Sequence, residues 1–345
     1  MTGPASVLGR VRTRCSREEW NLGVVPQRAE DIVRHGITTT VRWLPAPGPW
    51  HMFADPACCV LPDGTRVVMA EYLHQWNGRG EVWKAEVPPG QALDQAQLRP
   101  WIRAGCHLSY PFPVRDEVGR LCLLTESWEA SALHLWREEG GTLRLVGPIL
   151  DRPVVDATPW HDGTRWWLFC TLHGDGANER LHLFHSDRLA GPWIPHPGNP
   201  VKIDAGSARP AGPLFHVDGR LVRPSQDCSR TYGGAVVLNA VTRLDPDGFE
   251  ETPIRRLEPQ PEYPHGLHTL CPAGDVTIID GKRWAFQPLD LPRKFAAVAS
   301  NRLRPLRRAV LPDQLTFPPA GRSAPSAGSG AEVNGQVQQP LASTA

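Results

Sequence analysis

Val154–Gly174 reads VVDATPWHDGTRWWLFCTLHG. The stretch holds a carboxylate (Asp156), a short β-forming run, an Asp-Gly pair (Asp162-Gly163) and a second run rich in aromatics (Trp166, Trp167, Phe169). Turn chemistry between two runs of β-formers predicts a β-hairpin. Trp166 and Trp167 point to opposite faces of their strand, so at least one packs between sheets rather than towards a ligand. Four other stretches share the layout: Phe53–Tyr72, Leu108–Ser127, Ala208–Asp227 and Leu267–Pro288. Their turn glycines are read as Gly64, Gly119, Gly163, Gly219 and Gly281, with steps of 55, 44, 56 and 62 residues. Third strands follow at Glu81–Ala85, Ala132–Trp136, Leu181–His185 and Ala235–Asn239, and Leu143–Val146 is the clearest fourth. Four strands per repeat, at a period of roughly 40 to 60 residues, predicts an all-β fold, a five-bladed β-propeller. The uneven steps fit variable outer strands and loops.

Composition agrees with an all-β chain. Of 345 residues, 36 are Pro and 32 Gly, which punctuate short strands, and 13 are Trp. Most of these tryptophans are read as packing between sheets, although flat aromatic faces also suit sugars. Lys and Arg number 37 against 36 Asp and Glu, so no bulk field favours nucleic acid or an anionic membrane. The eight cysteines form no CxxC pair and read as reduced, buried small hydrophobes. No run approaches the roughly 18 apolar residues of a membrane span, and the N-terminus lacks the apolar core of a signal peptide. A cytoplasmic location is the expectation. Residues 1–18 are basic and expected to be poorly ordered; 19–317 form a single propeller, and the Pro/Ala/Gly/Ser-rich 318–345 a disordered tail. Glu19–Val25 and Ile37–Leu44 read as strands, and Arg28–His35 is the one modest helix candidate.

In a propeller the innermost strands line a central channel, and polar residues at their starts collect at one end. Aligning the hairpins puts Asp55, Tyr110 (with Ser109), Asp156, Arg209 and His268 at equivalent places. The strands after the turns end with Glu71, Glu126, Thr171, Gln226-Asp227 and Gln287. Each residue also has a plainer reading. Asp55 can cap a turn ahead of Pro56, Arg209 can pair with Asp156 or Asp227, Glu126 can face solvent, and His268 can be a satisfied core histidine. His182 and His185 point to opposite strand faces and do not share a metal. No Walker loop, GxGxxG, GxSxG or HExxH occurs.

The combination of FADP (53–56), HLSYP (107–111), VDAT (155–158), LAGPW (189–193), ARPAG (208–212), RPSQD (223–227) and GLHTL (266–270) resembles the amino-terminal domain of plant glucosamine inositolphosphorylceramide transferases, which also has bacterial stand-alone relatives. That domain is similar in turn to the five-bladed propeller of glycoside hydrolase family 43. The resemblance spans roughly Trp20 to Pro288. It implies that Asp55 matches a general base, that Asp156 matches an orienting carboxylate, and that His268 matches a channel histidine near which a bound ion can sit. No other cofactor and no protein-ligated metal is expected. The fourth-blade glutamic acid of the hydrolases is replaced here by the Arg209-Pro210-Ala211-Gly212-Pro213 run, so Glu126 is the substitute acid. Gln226, Asp227 and Tyr232 belong to the resemblance as a binding loop. The domain that transfers sugar in the plant proteins has no counterpart in this sequence.

An inverting glycosidase sets two carboxyls about 6.5–9.5 Å apart, one protonated and one ionised. Asp55 and Glu126 would fill those roles, with Asp156 raising one pKa by like-charge repulsion. Ser109, Tyr110, Arg209, Gln226, Asp227, Tyr232 and His268 would bind the ligand, and Arg209 would draw a carboxylate or phosphate, favouring an anionic sugar. The leading expectation is a glycosidase-like protein acting on an intracellular glycan, glycolipid or activated sugar in polysaccharide or glycoconjugate assembly. The alternative is a non-catalytic glycan-binding module that supports a separate glycosyltransferase.

Overall fold

The computed structural model describes residues 16–140, 142–174, 176–286 and a strand at Gln314–Thr316. Gln287, the terminal segments 1–15 and 318–345, and Cys15 lie outside the described residues. Five antiparallel sheets are present, and their strand order makes them the blades of a propeller. The first blade runs outward through β3 (His51–Val60), β4 (Arg66–His74), β5 (Arg79–Val87) and β6 (Arg99–Ile102). The second comprises β7 (Ser109–Arg115), β8 (Leu121–Ser127), β9 (Ala132–Glu139) and β10 (Thr142–Leu150), with β22 (Gln314–Thr316) on its outer edge. The third is β11 (Val154–His161), β12 (Trp166–Leu172), β13 (Arg180–Ser186) and β14 (Ile194–Pro195), with β15 (Lys202–Ile203) also paired to β13. The fourth is β16 (Phe215–Val217), β17 (Arg220–Asp227), β18 (Ala235–Asp245) and β19 (Gly248–Leu257).

The fifth blade closes the ring. Its inner strands are β20 (Leu270–Ala273) and β21 (Val276–Phe286), and its outer strands, β1 (Ser16–Val25) and β2 (Arg42–Trp43), come from the start of the chain. β1 pairs with β21 from Ser16↔Phe286 to Val25↔Thr277, so ten residue pairs join the first described strand to the last blade. Ser16–Glu18 therefore belong to the propeller rather than to a poorly ordered terminus. The strand expected over Ile37–Leu44 shortens to Arg42–Trp43, and the helix expected near Arg28 is α1 (Ala29–His35).

One turn assignment is corrected. Gly281 lies inside β21 opposite Asn21, and the fifth turn is made by Gly274, at φ 81°. A side chain at Gly281 would meet the Trp43 ring at 2.4 Å, so this glycine admits a close neighbour rather than a turn. With Gly274 the last step between turns becomes 55 residues, in line with its neighbours.

The core is a set of inter-blade layers. Trp166 packs with Leu124, Leu135 and Phe184 on one side of the third blade. Trp167 packs with Phe169, Leu183 and Leu214 on the other. Both indoles are buried, so neither meets a ligand. Burying a side chain of this size stabilises the fold by about 2–3 kcal/mol. Trp167 Nε1 also donates to Asp162 Oδ2 at 2.7 Å, which ties the strand to its own Asp-Gly turn.

Candidate functional site

The first three inner strands carry the same defect. Each breaks register once, between Ala54 and Ala57, Ser109 and Phe112, and Val155 and Thr158. Within each break one non-glycine residue takes a left-handed conformation: Asp55 (φ 51°), Tyr110 (φ 45°) and Asp156 (φ 55°). Such bulges re-aim a side chain at the expense of backbone strain, and they gather at functional sites. Three blades thus turn a polar residue to the head of the channel.

A second ring comes from the strands after the turns. Glu71, Glu126 and Gln226 each lie seven residues beyond their turn glycines. In the fifth hairpin Asp280, six residues beyond Gly274, joins this ring instead of Gln287 by accepting the Asp55 N–H. These residues brace the bulges. Asp280 Oδ2 accepts the Asp55 N–H at 3.2 Å, and Oδ1 accepts the N–H groups of His268 and Thr269 at 3.0 and 2.9 Å. Glu126 Oε2 accepts the Ala157 N–H at 3.1 Å, and Ser109 Oγ lies 3.2 Å from its Oε1.

Asp55, Glu71, Glu126, Asp156 and Asp280 are all buried, and their environments set them apart. Burial, opposed by the His268 charge and reinforced by Asp156 and Asp280, pushes Asp55 up to about 6. Burial and then the Asp55 charge push Glu71 well above the usual carboxylate range, and Glu71 hydrogen-bonds to Asp55. Burial and Asp156 do the same to Glu126. Burial and neighbouring carboxylates thus shift Glu71 and Glu126 towards their protonated forms beside Asp55. His268 Nδ1 sits 2.5 Å from Asp280 Oδ2 and its Nε2 3.6 Å from Asp55 Oδ1. Burial disfavours the imidazolium, but Asp280 and Asp55 outweigh it and raise the His268 pKa. Trp20 stacks on the ring at 4.0 Å.

The remaining candidates separate from Asp55. Arg209 pairs with Asp156 through Nε and, at 3.3 Å, Nη2; its Nη1 donates to Asn178 Oδ1 at 2.9 Å. The guanidinium lies over Tyr232 at 4.8 Å, and Gln226 Nε2 donates to Asp156 Oδ2 at 2.9 Å. Arg209 is thus paired within the protein, the plainer of its two readings from sequence. Gln226, fully buried, braces Asp156 rather than a ligand. Asp227 is paired with Arg256 and receives the Ser229 N–H at 2.8 Å, away from the ring. Tyr110 is buried, and its hydroxyl accepts the Gly212 N–H at 2.9 Å and lies 2.9 Å from Thr158 Oγ1. Its hydroxyl joins the third blade to the approach of the fourth. Glu71, Asp280 and His107 were not assigned site roles from sequence. Glu71 shares the strand-end position of Glu126, which was the available signal, whereas Asp280 was hidden by the turn placed at Gly281.

Asp55, His268 and Asp280 each offer an atom within 4.8 Å of the others, the one such trio among the described residues. Their donor set does not fit an ion well. Asp280 Oδ1 takes two backbone N–H groups, and its Oδ2 lies at hydrogen-bonding distance from His268 Nδ1. Asp280 and Asp55 also draw the imidazole between them towards its protonated, positively charged form. Beyond the ring the axis holds a cavity of about 60 Å³, lined by Asp55, Tyr110, Phe112, Gly212, Thr269 and Cys271. It suits water rather than a sugar. On the other side, Trp128, two residues past Glu126, stacks with exposed His173 at 4.9 Å and is itself 41% exposed.

Fold and site define a five-bladed β-propeller with a ring of buried carboxyls at the head of its channel. The chain belongs to the family described as glucosamine inositolphosphorylceramide transferase 1, N-terminal, whose model matches residues 90–262. Glucosamine inositolphosphorylceramide transferase 1 from Oryza sativa subsp. japonica is 32% identical over 212 residues, 56% of this chain and 27% of the relative. The Arabidopsis thaliana protein of that name is 34% identical over 183 residues, 51% of this chain and 22% of the relative. The chain therefore spans about a quarter of these relatives. A thermostable family-43 glycoside hydrolase is similar in shape, at 13% identity and a TM-score of 0.46, covering 61% of this chain and 77% of that one. The five-bladed architecture rests on the strand pairings described above.

Proposed function

We propose that the chain holds a glycan at the head of its channel and that Asp55 is the reactive carboxylate of glycosidase-like acid–base chemistry there. The observation that carries this reading is the gathering of three buried carboxyls in unlike environments: Asp55, pushed up to about 6, and Glu71 and Glu126, which burial and neighbouring carboxylates push well above the usual range. In glycoside cleavage one carboxylic acid protonates the leaving oxygen as the C–O bond breaks, while a carboxylate takes the proton of the attacking water. Glu71 touches Asp55 and leaves no room for a sugar between them, so Glu126 on the neighbouring blade is the acid. The stacked Trp128–His173 pair beside Glu126 offers a flat face to a sugar ring.

Both basic groups of the ring, Arg209 and His268, are paired with carboxylates. A neutral or ammonium-bearing sugar therefore suits the site better than an anionic one, and the relatives' name includes glucosamine. The seven described cysteines are unpaired, which accords with a cytoplasmic setting. The second reading, a non-catalytic module serving a separate glycosyltransferase, is favoured by Arg209, which occupies the place of the hydrolase acid and neutralises Asp156.

The test pairs binding with turnover. Glucosamine, N-acetylglucosamine and glucuronate are titrated by calorimetry, and a nitrophenyl glycoside panel is screened on wild type and Asp55→Asn. The expected result is preference for glucosamine over glucuronate and a turnover that falls about 10²–10⁴-fold in Asp55→Asn. Binding without turnover selects the module reading. A wild type that neither binds nor turns over any of these compounds removes both.

A further inference from the structure

Glu71 lies where β4 faces β5, and the chain makes a specific place for it. Gly80, on β5, has no side chain, and a Cβ there would come 2.5 Å from Glu71 Oε1, 2.9 Å from His107 Cε1 and 2.3 Å from the Leu108 carbonyl oxygen. The carboxyl and the imidazole thus both use the space that glycine leaves. His107, in the loop before β7, has its ring fixed by the same turn. The Gly80 N–H donates to Nδ1 at 2.9 Å, and the Gly78 carbonyl is a further partner of the ring. Its backbone N–H donates to Glu129 Oε2 at 2.8 Å. With Nδ1 accepting, the ring proton resides on Nε2, which faces Glu71 Oε1 at 3.5 Å. Glu71 in turn hydrogen-bonds to Asp55.

We propose that Glu71 is a second functional carboxyl of the site, donating a hydrogen bond that orients Asp55, and that His107 is the positioning residue that fixes Glu71. Asp55 is then held from two sides, by Glu71 of its own blade and by the Asp280–His268 pair of the closing blade. This rests on the reading of Asp55 as the reactive carboxylate. The groups whose charge Glu71 feels are Asp55 on β3, Glu126 on β8 and Asp156 on β11; His107 faces it from the loop before β7. Burial keeps His107 neutral by lowering its pKa, so a neutral imidazole held by the Gly78–Gly80 turn, rather than a second cation, stands beside Glu71. Among the groups that face it, Glu71 thus has Asp55 as its hydrogen-bonding partner, the neutral His107 ring 3.5 Å away, and no cation.

The experiment is a ¹³C carboxyl NMR titration of the full chain, as wild type, Glu71→Gln, His107→Phe and His107→Gln, with circular dichroism checking the fold. In the wild type Asp55 titrates near 6, and Glu71 shows no ionisation across the ordinary glutamate range near pH ~4.3. In Glu71→Gln the amide still donates, so the Asp55 midpoint stays within about half a unit. His107→Phe releases Glu71 and moves the Asp55 midpoint up by about one unit, and His107→Gln restores it. An ordinary Glu71 titration in the wild type overturns the proposal. So does an Asp55 curve that His107→Phe leaves unmoved, or a Glu71→Gln shift as large as that expected of His107→Phe. Should His107→Phe fail to fold, the wild-type and Glu71→Gln curves decide. The titration needs no ligand, so its failure leaves glycan binding untouched, and absent glycan binding leaves the titration standing.

Discussion

Asp55 and Asp156 occupy the same bulge on different blades, with nearly the same backbone angle, yet their surroundings divide the ring into two halves. On the third- and fourth-blade side, Asp156 is matched by two nitrogens of Arg209 and the amide of Gln226. On the first- and fifth-blade side, Asp55 has no arginine, only His268 at 3.6 Å, Thr269 Oγ1 at 3.5 Å and the acid of Glu71. A fully paired carboxylate is a structural element; one left to share protons with its neighbours can exchange them with a ligand. The proposed function accordingly assigns reactivity to Asp55 and scaffolding to Asp156, although their backbones are alike.

The largest expected effect comes from opening the paired half. Arg209→Ala would leave Asp156 charged and buried without its partner, which costs about 3–5 kcal/mol. Asp55→Asn removes a carboxylate that burial and its neighbours already disfavour, so stability should hold or rise. Urea denaturation of the two variants measures the contrast. Equal losses in both would erase the distinction between the halves.

The next effect is on pH dependence. Asp55, Glu71 and Glu126 are all raised in the folded state, and so is His268. A group whose folded pKa lies above its unfolded value gives stability that is full below the unfolded pKa and lost as pH rises through the folded one. For Asp55 the window runs from 3.8 to about 6, and a shift of about two units corresponds to about 3 kcal/mol. Stability should fall as pH rises from about 4 through 6, and Asp55→Asn should flatten that fall. Melting temperatures across the range read it directly, and a rise in wild-type stability over the window would contradict the account.

Much of this architecture was legible because hairpins announce themselves locally. Asp162-Gly163 and its flanking aromatics specify a turn and two strands within twenty-one residues, and four repeats of the layout give the blades. Closure was not legible in the same way. The partner of Trp20 is Lys282, and no local pattern links residues so far apart. Gly281 misled because glycine serves two ends: a turn at Gly274, and clearance for the Trp43 and Tyr263 side chains at Gly281. That single misassignment concealed Asp280. The site divided along the same line. Residue types and hairpin positions brought Asp55, Glu126 and Asp156 to one end of the channel. The pairing of Arg209 with Asp156 and the clearance at Gly80 for Glu71 depend on neighbours that only the fold supplies.

Tyr110 sharpens the comparison from a third direction. It shares the bulge of Asp55 and Asp156, yet its hydroxyl is turned into the protein, between Thr158 on the third blade and the Gly212 N–H ahead of the fourth. Gly212 cannot move far to find another acceptor, because a Cβ there would already lie 2.2 Å from the Leu270 carbonyl oxygen. Tyr110→Phe keeps the ring and its packing but leaves a buried N–H without its acceptor, a loss of about 1–3 kcal/mol. If Tyr110 only joins blades, this loss should appear in urea denaturation while the affinity for glucosamine stays unchanged. A variant of full stability with weakened sugar binding would return Tyr110 to the ligand and make the bulge a functional position on all three blades.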